Sequence, residues 1–383
     1  MHILIPVVHR PDKPTGVCRH AANLAKCLAD QESVTKVTLV TGQWQINYFI
    51  KDFNLILHKV EIINVDIENN AIARNLWYLF GLPKLASELE ADLIHLSFPF
   101  PFIKAKFRCP IVSTIHDLYP YECPENFGFP QVWFNRLFLK QCVQYSDGIT
   151  CVSQVTLATL KKYFKDIALS KKVTVVYNYV DFDNVTPVPL ESNLIRQDAE
   201  FLLSVGQHRK NKNLDLLIRA YGNLLAKDNA SQNLKLVIVG SQGPETDYLL
   251  DLIEKLSLRD QVFLVSSISD AELCWLYKSC KLFIIPSSLE GFCIPLVEAL
   301  SLNAKSICSD LAIFKEIGKN LDCQYFSLNG DVNKNLSEKI FFSLSDNNPP
   351  DFNKREFKVA IEKFTKPSVA KDYLAFYKLL TCY

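Results

Sequence analysis

The feature that most constrains the fold is an alternation of short apolar runs with segments of helical spacing, which the chain goes through twice. The predicted strands of the first pass are residues 2–8, 34–41, 92–96, 111–115, 148–152 and 173–177. Helical spacing at residues 17–28 and 134–145 lies between them. Short buried strands that alternate with helices are typical of a parallel sheet with helices on both faces.

The second pass follows a polar, proline-containing stretch at residues 183–193, which we interpret as a linker between domains. The predicted strands are residues 201–205, 234–239, 261–265, 282–285 and 306–309, and the predicted helices are 214–226, 245–256, 270–279 and 295–302. The sequence therefore predicts an α/β protein with two doubly wound, Rossmann-like halves. Ligands of such sheets bind beyond the carboxyl ends of the strands.

Three segments are predicted to divide the chain. The N-terminal domain is assigned residues 1–182 and the C-terminal domain residues 183–367, and a helix at 368–383 is expected to pack back on the first domain. The length of 383 residues fits two domains, since one domain usually takes about 100–200 residues. The last helix has Tyr373, Phe376, Tyr377 and Leu380 spaced for one buried face.

Charge and cysteine content exclude several classes of protein. Lysine and arginine total 42 against 41 acidic residues, which excludes a generally basic nucleic-acid binder. The 12 cysteines are scattered without C-x-x-C spacing, so reduced thiols in a cytoplasmic protein are favoured over a disulfide framework. The first residues have the pattern of a strand, and apolar runs are shorter than the roughly 18 residues of a membrane span, so neither a secretory signal nor a transmembrane helix is expected.

Two glutamates flank a predicted helix start in the segment 286–300. Glu290 precedes the helix, Glu298 lies one turn inside it, and Pro295 occupies its first turn. The start of a helix attracts phosphate, which carboxylates would repel. The two carboxylates and a phosphate site can coexist if cations bind the phosphates and the carboxylates bind sugar hydroxyls. A nucleotide-sugar is a ligand that has both groups. Two unrelated surface glutamates are the alternative, and spacing alone does not decide between them.

A cationic segment follows another predicted strand, which ends at Gly206. Arg209, Lys210 and Lys212 come before the next helix. Three cations at the carboxyl end of a strand can neutralise a diphosphate and stabilise it as a leaving group. A solvated basic loop is the alternative. Since the glutamate segment needs such cations, we favour the functional interpretation.

These segments resemble the retaining glycosyltransferases of family 4, which have the GT-B fold. The family pattern of two glutamates separated by seven residues matches Glu290 and Glu298, and its phosphate-binding segment resembles residues 206–213. Further similarities over nearly the whole chain are Val239-Gly240, Ser269-Asp270, residues 307–310, Ile115-His116-Asp117, Ser146-Asp147 and Val152-Ser153. The resemblance implies two facing Rossmann-like domains with a C-terminal crossover helix.

The resemblance also implies roles for the matching positions. Arg209 and Lys212 would bind the donor diphosphate, Glu290 the hydroxyls of the transferred sugar and Glu298 the ribose, and His116 would contact the donor sugar beside its anomeric carbon. The remaining positions, which would contact the donor through backbone groups, are Gly16, Gly206, Ser267, Ile268, Phe292, Cys293 and Ile294. From composition alone, a core histidine is the more usual interpretation of His116 after an apolar strand. Its place in the His-Asp pair at the end of that strand favours the functional role instead.

Four positions depart from the family pattern. Thr15 replaces the first of two glycines, Tyr179 and Ser266 replace further glycines, and Cys293 stands where glycine is usual. A backbone contact at Cys293 requires a negative φ, and its thiol is expected to line the site.

No metal and no cofactor are expected. The D-x-D spacing of Asp181 and Asp183 matches the metal motif of a different glycosyltransferase fold, but these residues fall at the predicted linker. No G-x-G-x-x-G follows the first strand, which disfavours a nicotinamide dehydrogenase.

The function implied by the resemblance is transfer of a sugar, with retention, from a nucleotide-sugar donor to a glycan or lipid-linked acceptor in polysaccharide or glycoconjugate biosynthesis. A nucleotide-sugar epimerase, a phosphorylase and a non-catalytic nucleotide-sugar-binding protein remain as alternatives. The segment 98–108 mixes aromatic residues with three cations. A peripheral contact with the inner membrane face and a solvated loop both remain open for it.

Overall fold

The computed structural model describes residues 1–10, 15–165, 172–182, 185–190, 199–227, 233–266, 268–346 and 354–381. The chain forms two compact units: unit 1 comprises Met1–Tyr179 and Phe364–Tyr383, and unit 2 comprises Val180–Lys363. Each unit contains a parallel sheet with helices packed against it, so the predicted α/β class is confirmed. Of the predicted linker, residues 183, 184 and 191–193 lie outside the described ranges.

Unit 1 is built around a parallel sheet. Its strands are β1 (His2–Pro6), β2 (Lys36–Gly42), β3 (Val60–Val65), β4 (Leu93–Leu96), β5 (Ile111–Ile115), β6 (Gly148–Cys151) and β7 (Lys172–Val175). Among the described residues they form a 7-stranded sheet in the order β3-β2-β1-β4-β5-β6-β7. Its helices are α1 (Gly16–Ala29), α2 (Ile46–Ile50), α3 (Ala71–Leu76), α4 (Leu82–Glu88), α5 (Tyr119–Glu122), α6 (Gln131–Tyr145), α7 (Gln154–Tyr163) and, beyond unit 2, α15 (Lys366–Leu380).

Unit 2 repeats the architecture. Its strands are β8 (Phe201–Val205), β9 (Lys235–Val239), β10 (Val262–Val265), β11 (Leu282–Ile285), β12 (Ser306–Ser309) and β13 (Cys323–Phe326). In the described part of this unit they form a 6-stranded sheet in the order β10-β9-β8-β11-β12-β13. Its helices are α8 (Leu214–Lys227), α9 (Thr246–Lys255), α10 (Asp270–Ser279), α11 (Ile294–Ser301), α12 (Ala312–Ile317), α13 (Val332–Ser345) and α14 (Lys354–Glu362).

The central strands lie where the apolar runs predict them. β1 pairs in parallel with β2, with Ile3 opposite Val37 and Ile5 opposite Leu39. All four of these side chains are fully buried, because strands covered on both faces need apolar residues throughout. The edge strands β3 and β13 were not predicted. Most of their residues are only partly buried, so an apolar run does not mark them.

The helix α15 completes the core of unit 1. Val369, Ala370, Tyr373 and Tyr377 are buried in one apolar cluster with side chains of α1 and β1. At the start of α15, Lys366 forms an ion pair with Asp30, which follows α1, at 2.6 Å. The core of unit 1 therefore combines α15 with α1 and β1, which are far from it in the sequence.

The other face of the unit 1 sheet buries part of the aromatic segment 98–108. Phe100 stacks on Tyr78 with ring centroids 4.0 Å apart, and Phe102 is 1% exposed. The aromatic side chains that suggested a membrane contact for this segment therefore belong in part to the core. Within the described ranges, no helix has the length and apolar character needed to cross a bilayer.

Candidate functional site

The topology of unit 2 leaves a crevice beside β8. From β8 the chain moves outward to β9 and β10, and it then returns to β11 on the other side of β8. The segments that follow β8 and β11 (residues 206–213, the β8 loop, and residues 286–293, the β11 loop) therefore leave the same sheet edge in different directions. In open α/β sheets such a switch point is where ligands bind.

Asparagines tie the two loops together. The side-chain amide of Asn211 donates to the Leu289 carbonyl at 3.2 Å, and the Asn211 carbonyl accepts from the Ser288 amide at 2.9 Å. Asn213 adopts φ 48° at the start of α8, and its side chain donates to the Pro286 carbonyl at 3.0 Å. Asparagine tolerates this left-handed conformation better than most residues do. These bonds fix the spacing between the cationic and the acidic segment.

Lys212 and Glu290 form an ion pair across the two loops. The Nζ atom of Lys212 lies 2.5 Å from Oε1 of Glu290, and the Ser287 hydroxyl donates to the same oxygen at 2.8 Å. The Lys212 side chain is 22% exposed and that of Glu290 is 5% exposed. Burial alone would lower the pKa of Lys212, but the Glu290 carboxylate reverses this effect and raises it. Lys212 therefore stays charged at neutral pH.

The other two cations of the β8 loop are arranged differently. Arg209 and Lys210 are exposed, although Arg209 is close enough for its charge to oppose that of Lys212. The alternative of a solvated basic loop therefore applies to Arg209 and Lys210, which are exposed. It does not apply to Lys212, whose side chain lies in the crevice and is 22% exposed. Spacing alone did not distinguish among the three, whereas the family resemblance selected Arg209 and Lys212 and not Lys210.

The second glutamate lies inside α11 and is also buried. Glu298 is 8% exposed, and its Oε2 accepts a hydrogen bond from the Tyr277 hydroxyl of α10 at 2.9 Å. Since Glu290 is 7% exposed, the alternative of two surface glutamates is wrong. Tyr277 was not predicted, because nothing in the sequence of α10 indicates that it faces α11.

Cys293 precedes α11 and lies among the charged residues. Its φ is −118°, so the negative φ required for a backbone contact is present. The thiol is 2% exposed and packed in the interior, although it was expected to line the site. Burial and the Glu290 carboxylate raise its pKa, which keeps the thiol neutral. Its neighbours Phe292 and Ile294 are partly buried.

Glycines allow the neighbouring loops to approach β8 closely. A Cβ atom on Gly240, after β9, would lie 1.9 Å from the Gly206 carbonyl oxygen, so a side chain is excluded there. Gly206 itself donates from its amide to the Val239 carbonyl at 2.8 Å. The match of Val239-Gly240 to the family pattern therefore has a steric reason in this unit.

The β8 loop also contains a buried histidine that was not predicted. His208 is 2% exposed, its Nδ1 is hydrogen-bonded to Thr246 at 3.0 Å, and its Nε2 is buried with no partner among the described residues. Burial lowers its pKa, so the ring is neutral at pH 7. Its place between Gly206 and Arg209 is the only sequence signal for it.

The positions predicted to contact the base follow the edge strand β10. Ile268 is partly buried, and it lies at the same sheet edge as the β8 loop because all strands of the sheet are parallel. Ser267 lies outside the described residues.

In unit 1, His116 follows β5 and contacts a second histidine. Its Nε2–H donates to the Ser97 carbonyl at 2.8 Å, and its ring is perpendicular to that of His20 with centroids 4.6 Å apart. His20, on α1, donates from Nδ1–H to the side-chain oxygen of Asn178 at 2.8 Å. Burial lowers the pKa of His116 to about 4 and that of His20 well below 6.5. Both rings are therefore neutral at pH 7. His20 was not predicted, because its contacts with His116 and Asn178 join distant parts of the sequence.

Gly16 begins α1 and faces open space. Thr15 caps this helix, its hydroxyl accepting from the Cys18 amide at 3.4 Å. A Cβ atom on Gly16 would meet no atom of the described residues within 4 Å. Packing inside unit 1 thus gives no reason for glycine here, and the predicted approach of a ligand to this position stays a prediction.

Comparison with known families gives two matches that together span most of the chain. The model described as "Glycosyltransferase Family 4" matches residues 14–184. The model described as "Glycosyl transferases group 1" matches residues 190–357.

Curated relatives include enzymes of glycan assembly. The chain is 30% identical over 212 residues to the O-antigen chain mannosyltransferase RfbU of Salmonella typhimurium, which covers 54% of each chain. It is 32% identical over 212 residues (54% of this chain, 53% of the relative) to a diphospho-undecaprenol 4-alpha-N-acetylgalactosaminyltransferase of Campylobacter jejuni. The matched segments thus span about half the length of these relatives.

Solved structures share the fold at low identity. Sucrose-phosphate synthase from Thermosynechococcus elongatus has a TM-score of 0.74 and 17% identity, over 99% of this chain and 98% of that chain. HepE from Anabaena, solved with UDP and glucose, has a TM-score of 0.71 and 18% identity, over 99% and 100% of the two chains. The predicted GT-B fold class is confirmed.

Proposed function

The chain belongs to the family 4, group 1 glycosyltransferases, and on that premise we propose that it transfers a sugar from a nucleotide-sugar donor to a glycan or lipid-linked acceptor, with retention at the anomeric carbon. The names of its relatives, O-antigen mannosyltransferases and an undecaprenol-linked N-acetylgalactosaminyltransferase, support a role in polysaccharide or glycoconjugate biosynthesis. The UDP found with HepE supports a nucleoside diphosphate as the leaving group.

The observation that carries the proposal is the Lys212–Glu290 pair at the switch point of unit 2. A buried ion pair is weak evidence for stability, because removing both charges from water offsets their attraction. Its position is better explained by a ligand that needs both charges. Lys212 stabilises the negative charge that develops on the departing diphosphate, and Glu290 accepts hydrogen bonds from hydroxyls of the transferred sugar.

The start of α11 supplies a second source of positive potential. α11 begins directly after the β11 loop, so the positive end of the helix dipole lies there and favours an anion. We assign the backbone of Phe292, Cys293 and Ile294 to the sugar and phosphate. Glu298, oriented by the Tyr277 hydroxyl at 2.9 Å, accepts hydrogen bonds from the ribose diol.

His116 acts as a hydrogen-bond acceptor for the donor sugar in this proposal. Its Nε2–H is directed at the Ser97 carbonyl, so in the neutral ring Nδ1 has the lone pair. A neutral histidine is needed for that role, and the lowered pKa of about 4 keeps it neutral at physiological pH. No covalent nucleophile is invoked, and positioning with electrostatic stabilisation supplies the rate enhancement.

We also propose that turnover needs no divalent metal. Lys212 and the positive end of the α11 dipole already provide positive potential at the proposed diphosphate position. Asp183 of the D-x-D motif lies outside the described residues. Equal rates in a chelator and in added magnesium or manganese support this proposal, whereas activity that is abolished by the chelator and restored by metal contradicts it.

The test of the function is a thermal-shift screen of UDP- and GDP-sugars, followed by an assay with the sugar that stabilises the protein most. A ligand that binds only the folded state raises its melting temperature by mass action. Release of nucleoside diphosphate only when an acceptor glycan or lipid-linked glycan is present supports transfer. Interconversion of the donor without acceptor indicates an epimerase, phosphate-dependent release of sugar phosphate from a glycan indicates a phosphorylase, and binding without turnover indicates a binding protein.

A further inference from the structure

The two carboxylate oxygens of Glu290 have different surroundings. Oε1 accepts hydrogen bonds from Nζ of Lys212 at 2.5 Å and from the Ser287 hydroxyl at 2.8 Å. Oε2 accepts no hydrogen bond from the described residues, and it keeps some exposure to solvent. Each oxygen of an ionised carboxylate has about two lone pairs. Oε1 is therefore fully used within unit 2, whereas Oε2 is available to a ligand.

The main chain around Ser287 is fixed from two sides. Ser287 is 1% exposed, and its carbonyl accepts a hydrogen bond from the hydroxyl of Ser309 at the end of β12. The carbonyl of the preceding residue, Pro286, accepts from the side chain of Asn213 in the β8 loop at 3.0 Å. Because β12 and the β8 loop both hold the start of the β11 loop, the Ser287 hydroxyl has a defined position beside Glu290.

Lys212 alone does not determine which carboxylate oxygen it contacts. An ammonium group is a compact charge with rotatable donors and lacks the planar fork of arginine, so it can pair with either oxygen of Glu290. A hydroxyl held at the start of the loop donates one directional hydrogen bond, which selects Oε1. The next residue, Ser288, does not supply this bond, since it is exposed and its hydroxyl is directed at the Asn211 carbonyl.

We propose that Ser287 is a positioning residue for Glu290: its hydrogen bond holds Oε1 beside Lys212, so that Oε2 accepts the hydrogen bond from a hydroxyl of the transferred sugar. The inference rests on the proposed function, which assigns a sugar hydroxyl to Glu290. Ser287 acts through the carboxylate and does not itself contact the donor. A misplacement of about 1 Å can lower a rate by about 10², and the remaining contact with Lys212 limits the expected loss to about tenfold.

The test measures donor turnover by the full chain and calorimetric binding of the free nucleoside diphosphate. Ser287→Ala is expected to lower turnover at saturating donor by about tenfold while diphosphate affinity stays within about twofold, because the diphosphate alone has no sugar hydroxyl for Glu290. Ser287→Thr keeps a hydroxyl and is expected to restore most of the turnover. In the background Glu290→Ala, loss of the Ser287 hydroxyl is expected to have no further effect, because residues that act through one contact are not additive.

Ser306→Ala is the matched control. Ser306 is a fully buried serine at the start of β12, at the opposite edge of the parallel sheet from the β11 loop, and its hydroxyl donates to the Ala304 carbonyl at 2.8 Å. Melting temperatures of the two alanine variants within about 4 °C of each other, with turnover lowered in Ser287→Ala alone, separate positioning from a general loss of stability.

Three results overturn the inference while leaving the proposed function intact. The first is equal turnover by Ser287→Ala and Ser306→Ala in an assay that the wild-type chain passes. The second is a loss of diphosphate affinity in Ser287→Ala as large as its loss of turnover. The third is an undiminished effect of Ser287→Ala in the background Glu290→Ala. A wild-type chain that turns over no nucleotide-sugar overturns the proposed function and, with it, the positioning role.

Discussion

At the scale of single residues, the site of unit 2 depends on charged side chains that are largely buried. Lys212 and Glu290 come from loops 78 positions apart in the sequence, and the pair is 2.5 Å apart. Glu298 is anchored by one tyrosine. Since each group has a defined partner, single substitutions separate the proposed roles.

Lys212→Ala is expected to lower turnover by roughly 10²–10³, the loss typical of removing one electrostatic stabiliser. Lys210→Ala is the matched control, because Lys210 lies in the same turn and is exposed. Initial rates at saturating donor measure both, and thermal melting checks that Lys212→Ala remains folded although Glu290 loses its partner. Similar rates for the two variants contradict a role for Lys212 at the diphosphate.

Glu290→Gln and Glu298→Gln are expected to act on different ends of the donor. Glu298→Gln should weaken both the nucleotide-sugar and the free nucleoside diphosphate, because it removes a charge-assisted hydrogen bond to ribose. Glu290→Gln should reduce turnover while leaving diphosphate affinity nearly unchanged. Calorimetric titration with the diphosphate and initial rates with the full donor distinguish the two. If Glu290→Gln loses diphosphate binding as severely as Glu298→Gln does, the assignment is wrong.

The spacing of the motifs identified these residues as candidates for the site, but it did not predict what they contact. Lys212, Glu290 and Glu298 were identified because they flank predicted strand ends and a helix start. Their burial was not predicted, since it depends on which strands are neighbours. His20 and Asn178 are 158 positions apart, and Tyr277 and Glu298 are 21 apart. Such pairs follow from the sheet order, which local patterns do not encode.

At the scale of elements, the apolar pattern located the buried parts of the fold. β5, β8, β11 and β12 have the predicted bounds, because strands buried on both faces are continuous apolar runs between turn residues. The edge strands β3 and β13 were missed, whereas the edge strands β7 and β10 were predicted. The helix α13 (Val332–Ser345) was also missed, because its polar face obscures its buried positions. The last helix was predicted correctly because its aromatic residues have regular helical spacing.

Tyr377→Ala in α15 is expected to destabilise unit 1 by about 3–5 kcal/mol, the usual cost of emptying a large aromatic site in a core. Tyr377 is fully buried and hydrogen-bonded to His95 at 2.5 Å. Leu379→Ala is the control on the same helix, because Leu379 is 55% exposed, and it should change stability by no more than about 0.5 kcal/mol. Urea unfolding followed by circular dichroism measures both. Equal effects would show that the inner face of α15 does not support the core.

At the scale of the whole molecule, stability should depend on pH through buried histidines of unit 1. Burial lowers the pKa of His95 to about 3 and that of His116 to about 4, from 6.5 for an unburied ring, and lowers that of His20 as well. Protonation therefore favours the unfolded chain. The contribution of these rings to the free energy of unfolding is fully present above pH 6.5. It decreases as the pH falls below 6.5, by up to about 1.4 kcal/mol per pH unit for each ring.

The measurement is the free energy of unfolding between pH 7.5 and 5, a window above the range in which most carboxylates titrate. His116→Gln should reduce the slope of the free energy of unfolding against pH by about the contribution of one histidine ring. His58→Gln changes an exposed histidine and serves as the control with the wild-type slope. A slope that His116→Gln leaves unchanged contradicts the assignment of neutral, buried His116.

The return of the chain to unit 1 has a consequence for its synthesis. Unit 2 is a continuous segment, Val180–Lys363, whereas unit 1 needs Phe364–Tyr383 in addition to Met1–Tyr179. At about 5–20 residues per second, a ribosome takes roughly 10–40 s to move from the end of the first part to the start of the second. During that time the side of α1 that faces α15 stays uncovered. The segment translated second is thus able to finish folding first, and a chaperone that protects the nascent chain meets an unfinished first unit.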